Sequence, residues 1–83
     1  MMISQHADVR SRQRGISSEC ISILTRYGRR SKRAGGAVEY SLDKKGRKTL
    51  EMILPDKQIL EKLRHQVVIC TRTDVVITCY HRD

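Results

Sequence analysis

The 83 residues contain no phenylalanine or tryptophan, and tyrosine occurs only three times. A core built from this chain must therefore be aliphatic, drawn from Ile, Leu and Val. The same scarcity leaves few platforms on which unpaired bases stack, which argues against single-strand binders that sandwich bases between aromatic rings. Long apolar runs are also missing, and a membrane-crossing helix needs about 20 of them in a row. The opening Met1-Met2-Ile3-Ser4-Gln5-His6 has no basic head followed by an apolar run, so no signal peptide is expected. Cys20, Cys70 and Cys79 are an odd number of thiols with no C-x-x-C pair among them. Such spacing fits neither a disulfide framework nor a structural zinc site. Reduced thiols, a cytoplasmic location, and no metal or other cofactor are the expectation.

What is present is positive charge. Seventeen Lys and Arg face nine Asp and Glu, a net charge of +8. Residues 1 to 33 hold eight basic and two acidic side chains, so most of the excess lies there. A field of this sign attracts phosphate backbones, anionic membranes or acidic proteins.

The length allows one domain, residues 1–83, with no internal repeat or low-complexity linker. Ser4 can cap a helix over about residues 5 to 14, ended by Gly15. Ser17 caps a second, with Ile16 and Ile21 placed as a hydrophobic staple. Cys20, Ile21, Leu24 and Tyr27 recur at helical spacing before Gly28. Arg29 to Gly36 reads as an exposed, basic, glycine-ended segment, and Ala37 to Leu42 as a strand with Val38, Tyr40 and Leu42 on one face. Two readings fit residues 43–54. Asp43-Lys44-Lys45-Gly46 is either a hairpin turn before alternating Leu50, Met52 and Leu54, or Asp43 caps a helix with Leu50, Ile53 and Leu54 on its core face. Pro55 and Asp56 suit a helix start, followed by the stripe Ile59, Leu60 and Leu63. Val67 to Thr71 and Val75 to Tyr80 then form a β-branched hairpin about Thr73-Asp74. The expected fold is α+β, two N-terminal helices packed on a small antiparallel sheet ending in a C-terminal hairpin, with one or two middle helices.

Two places could carry chemistry. On the first helix Ile3, Ala7 and Val9 are read as an apolar arc, with His6, Arg10 and Gln13 inside it and Arg14 at its rim. His6, Arg10 and Arg14 along one line could grip a phosphate beside an imidazole. At the other end, alternation puts Thr78, Tyr80 and Arg82 on one face and His81 on the opposite one. If the ends of the chain meet, His6 and His81 as base and acid, with Arg10 and Arg82 stabilising the phosphorane, would suffice for metal-independent cleavage of RNA. Against this, a helix histidine and a terminal His-Arg pair are commonly structural or solvated. Two further clusters, Arg29, Arg30, Lys32 and Arg33, then Lys44, Lys45, Arg47 and Lys48, read as phosphate contacts that position without reading sequence. Neither ends in the Gly-Lys-Ser/Thr of a Walker loop.

The order His6, Arg10, Gln13-Arg14-Gly15-Ile16, a helix ended by Tyr27-Gly28, a glycine-preceded strand at Gly36 to Tyr40, and a last strand closing on Ile77-Thr78 and His81-Arg82 resembles a family of small bacterial proteins, a domain of unknown function. The resemblance covers nearly the whole chain and implies a helix after Asp43. Its architecture is similar to RelE-like ribonuclease toxins, in which two helices precede an antiparallel sheet bearing basic residues. That implies RNA ahead of DNA as the partner, but likeness of fold does not carry activity. Three classes stay open: an RNA-binding or RNA-cleaving protein of toxin type, a non-catalytic nucleic-acid-binding regulator, and an interaction domain that docks an acidic protein such as an antitoxin.

Overall fold

Each of the four described α-helices begins after a residue whose side chain accepts from one of its free amides. The computed structural model describes residues 2–82. Strand β1 (Met2–Ile3) leads into helix α1 (Gln5–Gln13), where the Ser4 hydroxyl accepts from Ala7 N at 3.1 Å. Gly15, at φ 67°, ends that helix in the left-handed region that a side chain would strain. Helix α2 (Ser18–Tyr27) is capped by Ser17, which accepts from Cys20 N, and Ile16 and Ile21 are both buried at its start as the staple requires. Gly28 closes it for a different reason. A Cβ there would lie 2.4 Å from Leu24 O and 3.1 Å from Ser41 O, so only glycine lets helix and sheet approach this closely.

Strands β2 (Arg29–Lys32) and β3 (Val38–Ser41) form an antiparallel pair joined by a turn over Ala34–Gly36. The ambiguous segment is helical: α3 (Lys44–Ile53) is capped by Asp43, whose carboxylate accepts from Gly46 N at 2.8 Å. The alternating strand is not realised, and Met52 is 90% exposed. Of the expected core face, Leu50 is buried, Leu54 half-buried and Ile53 exposed. Helix α4 (Lys57–Arg64) starts from Asp56 and buries Leu60 and Leu63. Strands β4 (Gln66–Cys70) and β5 (Val75–His81) complete a five-stranded sheet in the order β1-β5-β4-β3-β2, antiparallel except where β1 runs parallel to β5. The fold is α+β as expected, with two strands added to the expectation. β1 is only two residues long, and β2 shows no apolar alternation because it is an edge with charged side chains.

The main core lies between the helices and one sheet face, where Ile21, Leu24, Leu50 and Leu63 meet Val38, Tyr40, Val68, Cys70, Val76 and Cys79. Alternation sends Val67 and Ile69 to the other face, yet both are also buried. β5 keeps its register by a bulge: Ile69 pairs with Thr78 but Cys70 with Val76, leaving Ile77 as the extra residue.

The three thiols are free and buried. Burial, assisted by the nearby Asp74 carboxylate, raises the Cys70 pKa from 9.0 to about 11. Burial also raises Cys79, opposed by the positive charge of Arg14. A thiol whose folded pKa is raised contributes stability that is intact below its unfolded value and lost as pH climbs through the folded one. Unfolding free energy from urea titrations should therefore fall between about pH 9 and 11, and Cys70→Ala should fall less steeply than the parent over that window. Parallel curves for the two proteins would mean the Cys70 thiol is not held protonated by the core.

Candidate functional site

On the sheet face turned away from the helices, alternation along β3 places Glu39 across from Ser31 on β2 and Ile69 on β4. Its carboxylate collects three donors. Arg33 Nη1 and the Tyr80 hydroxyl each lie 3.4 Å from Oε1, and Arg82 Nη1 lies 3.5 Å from Oε2. The Glu39 side chain is only 18% exposed, against 47% for Arg33 and 51% for Arg82. A mostly covered carboxylate is thus shared between two guanidinium groups that still reach solvent, leaving this cluster of three with one net positive charge. Tyr80 is the cross-strand partner of the buried Val67, so its ring helps to roof that side chain.

The edge strand beside this cluster holds the highest density of unpaired cations. Arg29, Arg30 and Lys32 are exposed, and among the described residues none of their side chains has a hydrogen-bond or ion-pair partner. Arg72, in the turn between β4 and β5, is equally unpaired and lines one cavity with Arg30, Lys32 and Arg33. Around the end of α2, Arg26, Arg29 and Lys45 line another concavity, and the Arg26 guanidinium sits 5.7 Å from the Tyr27 ring centroid. The two basic clusters of the sequence therefore meet, through Arg29 and Lys45. Lys44 and Lys48 are exposed on the same helix as Lys45, while Arg47 is engaged by Glu51 at 3.5 Å. Arg33, read as a free phosphate contact, is instead committed in part to Glu39.

The first helix requires a correction. Its buried residues are Ala7 and Ser11, whereas His6, Arg10 and Gln13 are exposed and Val9 is 47% exposed. Including Val9 in the apolar arc rotated that arc away from its true position. Ser11 can be buried because its hydroxyl donates to Asp8 O at 2.8 Å. Arg10 reaches only Gln13, at 3.5 Å, and Arg12 pairs with Asp8.

His6 and His81 are not brought together. The His81 Nε2 lies 2.7 Å from the carbonyl oxygen of Arg14, while the Arg14 guanidinium donates to Cys79 O at 2.6 Å. This reciprocal pair straps the end of α1 to β5. His6 lies eight residues back along the helix, a rise of about 12 Å. His81 and Arg82 diverge as strand alternation requires, His81 towards α1 and Arg82 towards Glu39. Arg82 therefore belongs to the sheet-face cluster, and Arg14 and His81 to a structural strap.

Glu39 was the residue that sequence reasoning did not select. Its position on the face opposite Val38 and Tyr40 was legible from alternation, but its three partners lie 6, 41 and 43 residues away. Among the described residues no three His, Cys, Asp or Glu side chains cluster closely enough to hold a metal ion, and no helix is long and apolar enough to cross a membrane. Compared with known proteins, the chain matches no family model, no curated protein and no solved structure.

Proposed function

We propose that this domain binds the phosphate backbone of nucleic acid in the cytoplasm, RNA ahead of DNA, through the β2 edge and the turns flanking it. One observation carries the reading: Arg29, Arg30 and Lys32 run along the β2 edge, Arg72 meets that edge at its Lys32 end, and none of these four side chains has an ion-pair partner among the described residues, while Asp8, Glu39, Glu51 and Glu61 pair with other arginines. Charges on an edge strand also discourage strand-to-strand aggregation. That role involves the edge strand itself, however, and does not account for Arg72, which comes from a separate turn to the same cavity.

The form of the surface narrows the partner. Tyr40 is buried and Tyr27 and Tyr80 are half-buried, so no tyrosine ring stands fully free for a base to stack on. The basic strand has four residues and lies in a sheet, which is not an element to insert in a major groove. Recognition by phosphate contacts and helical shape, as in duplex or folded RNA, is what remains. Affinity should fall steeply with salt, and replacing Arg29, Arg30, Lys32 and Arg72 together by Ala should weaken binding and flatten the salt dependence. On duplex DNA the log-log slope should drop by about 0.9 for each phosphate that is no longer neutralised, and by less on single strands. Fluorescence anisotropy over a salt series measures both. Unaltered affinity and slope in the fourfold variant would transfer support to an acidic protein partner.

A second reading, cleavage of the bound RNA, is favoured by the Glu39 cluster. A carboxylate beside two guanidinium groups and a phenol supplies a base for a ribose 2′-hydroxyl, cations for the charge developing on phosphorus, and a proton donor for the leaving oxygen. This replaces the two-histidine arrangement, since His81 is engaged by the Arg14 carbonyl. Should the domain cleave RNA, Glu39→Gln should reduce the rate by about 100-fold or more, the range expected of a general base, with RNA affinity retained, whereas His6→Ala should leave the rate unchanged. The reverse pattern in a single-turnover assay would return the chemistry to the histidines.

A further inference from the structure

The basic edge is not uniform, and one part of it is concave. Arg30, Lys32, Arg33 and Arg72 surround a cavity of about 250 Å³ whose lining includes Ala37 and Val38. Val38 is 2% exposed and so lies at its base. We propose that this cavity is a site for a terminal phosphate monoester, the phosphorylated end of a nucleic-acid strand.

Three features support a compact dianion over another stretch of backbone. The cations converge from the end of strand β2, with Arg33 just past it, and from the separate β4–β5 turn that carries Arg72. Arg33 is partly neutralised by Glu39 at 3.4 Å, but Arg30, Lys32 and Arg72 have no ion pair among the described residues. An internal phosphodiester carries one charge, whereas a terminal phosphate carries about −1.5 to −2 at pH 7, which better matches this surplus.

The site is also held in shape before any ligand arrives. Arg33 N donates to Ala37 O at 2.8 Å, closing the β2–β3 turn. Gly35 and Gly36 occupy left-handed backbone at φ 79° and 80°. A Cβ on Gly36 would lie 3.2 Å from Arg72 Nε, so the bare glycine lets the guanidinium rest against the turn. Arg72 itself is presented by a closed loop, with Thr71 N donating to Val75 O at 2.9 Å and Asp74 N to Thr71 O at 3.1 Å. With the backbone of both turns already closed, only the side chains are ordered on binding, which lowers the cost of forming one anchor.

The identity of the polymer rests on the nucleic-acid reading above; the phosphate chemistry does not. The test measures binding of one short RNA duplex prepared with 5′-phosphate, 3′-phosphate or hydroxyl ends, by wild type and Arg72→Ala, with an NMR titration of inorganic phosphate alongside. One phosphorylated end should bind roughly tenfold tighter than the hydroxyl form, as one to three added charge-assisted hydrogen bonds allow. Arg72→Ala should erase that preference, weakening the phosphorylated duplex about tenfold more than the hydroxyl-ended one, whose affinity falls only by the loss of one backbone contact. The preference should shrink as pH falls through about 6, where the phosphate takes up its second proton. Inorganic phosphate should shift the amides of Gly36 and Arg72 in wild type. If all three RNAs bind alike and phosphate shifts neither amide, the terminal-phosphate site is refuted while backbone binding stands. If no RNA binds but phosphate still shifts those amides in an Arg72-dependent way, the site stands and the nucleic-acid reading falls.

Discussion

Strand β4 is buried along its whole length, on both sides of the sheet. That is the constraint on which the rest depends, because the helices cover only one of those sides. Val68 and Cys70 are sealed by α2 and its neighbours in the main core. Val67 and Ile69 point the other way, and their shelter comes from side chains of the flanking strands. Tyr80 stands across from Val67, and Glu39 across from Ile69, with Arg33 and Arg82 drawn over the face by the Glu39 carboxylate. Arginine suits this position because its aliphatic stem covers apolar surface while the guanidinium stays wet. The cover that protects the second face is therefore also a positively charged surface.

The charge pattern follows from the same topology. In the order β1-β5-β4-β3-β2, the strand that emerges directly from α2 becomes an outer edge. Its residues Arg29–Lys32 gain solvent on the side away from β3, so cations there incur no desolvation cost. The close approach at Gly28 brings the end of α2 against Ser41, and Gly46 fits against Tyr27 O, where a Cβ would come within 2.7 Å. Those two glycines bring the basic start of α3 to the same end of the molecule as the basic edge. Packing of backbone, more than pairing of charges, concentrates the field.

Much of the fold was legible locally. Ser4, Ser17 and Asp43 each accept the amide expected of a cap, and the staple of Ile16 with Ile21 is in the core. The hairpin of β4 and β5 was readable from its β-branched runs. What escaped was decided by distant partners. Nothing around Arg29 announces a strand, since its ladder is supplied by β3 after an intervening turn. Ser11 is buried because of a hydrogen bond to its own helix, whereas Val9 is exposed because β5 supports only one side of α1. The site was legible in part. Arg29, Arg30 and Lys32 stood out as a charge run, but Arg72 was an isolated residue in a turn, and Glu39 one acid in a strand, until the sheet brought their neighbours together.

The central claim is that polyanion recognition belongs to the β2 edge and the turns around it. Chemical-shift mapping of the isotopically labelled protein with a short RNA duplex addresses this directly, because every amide reports its own position. The account predicts that the largest shifts fall in residues 29–37 and 71–74, with Glu39, Tyr80 and Arg82 following and the amide of His6 unmoved. Shifts confined to α3 and α4, or spread evenly over the surface without saturation, would contradict it.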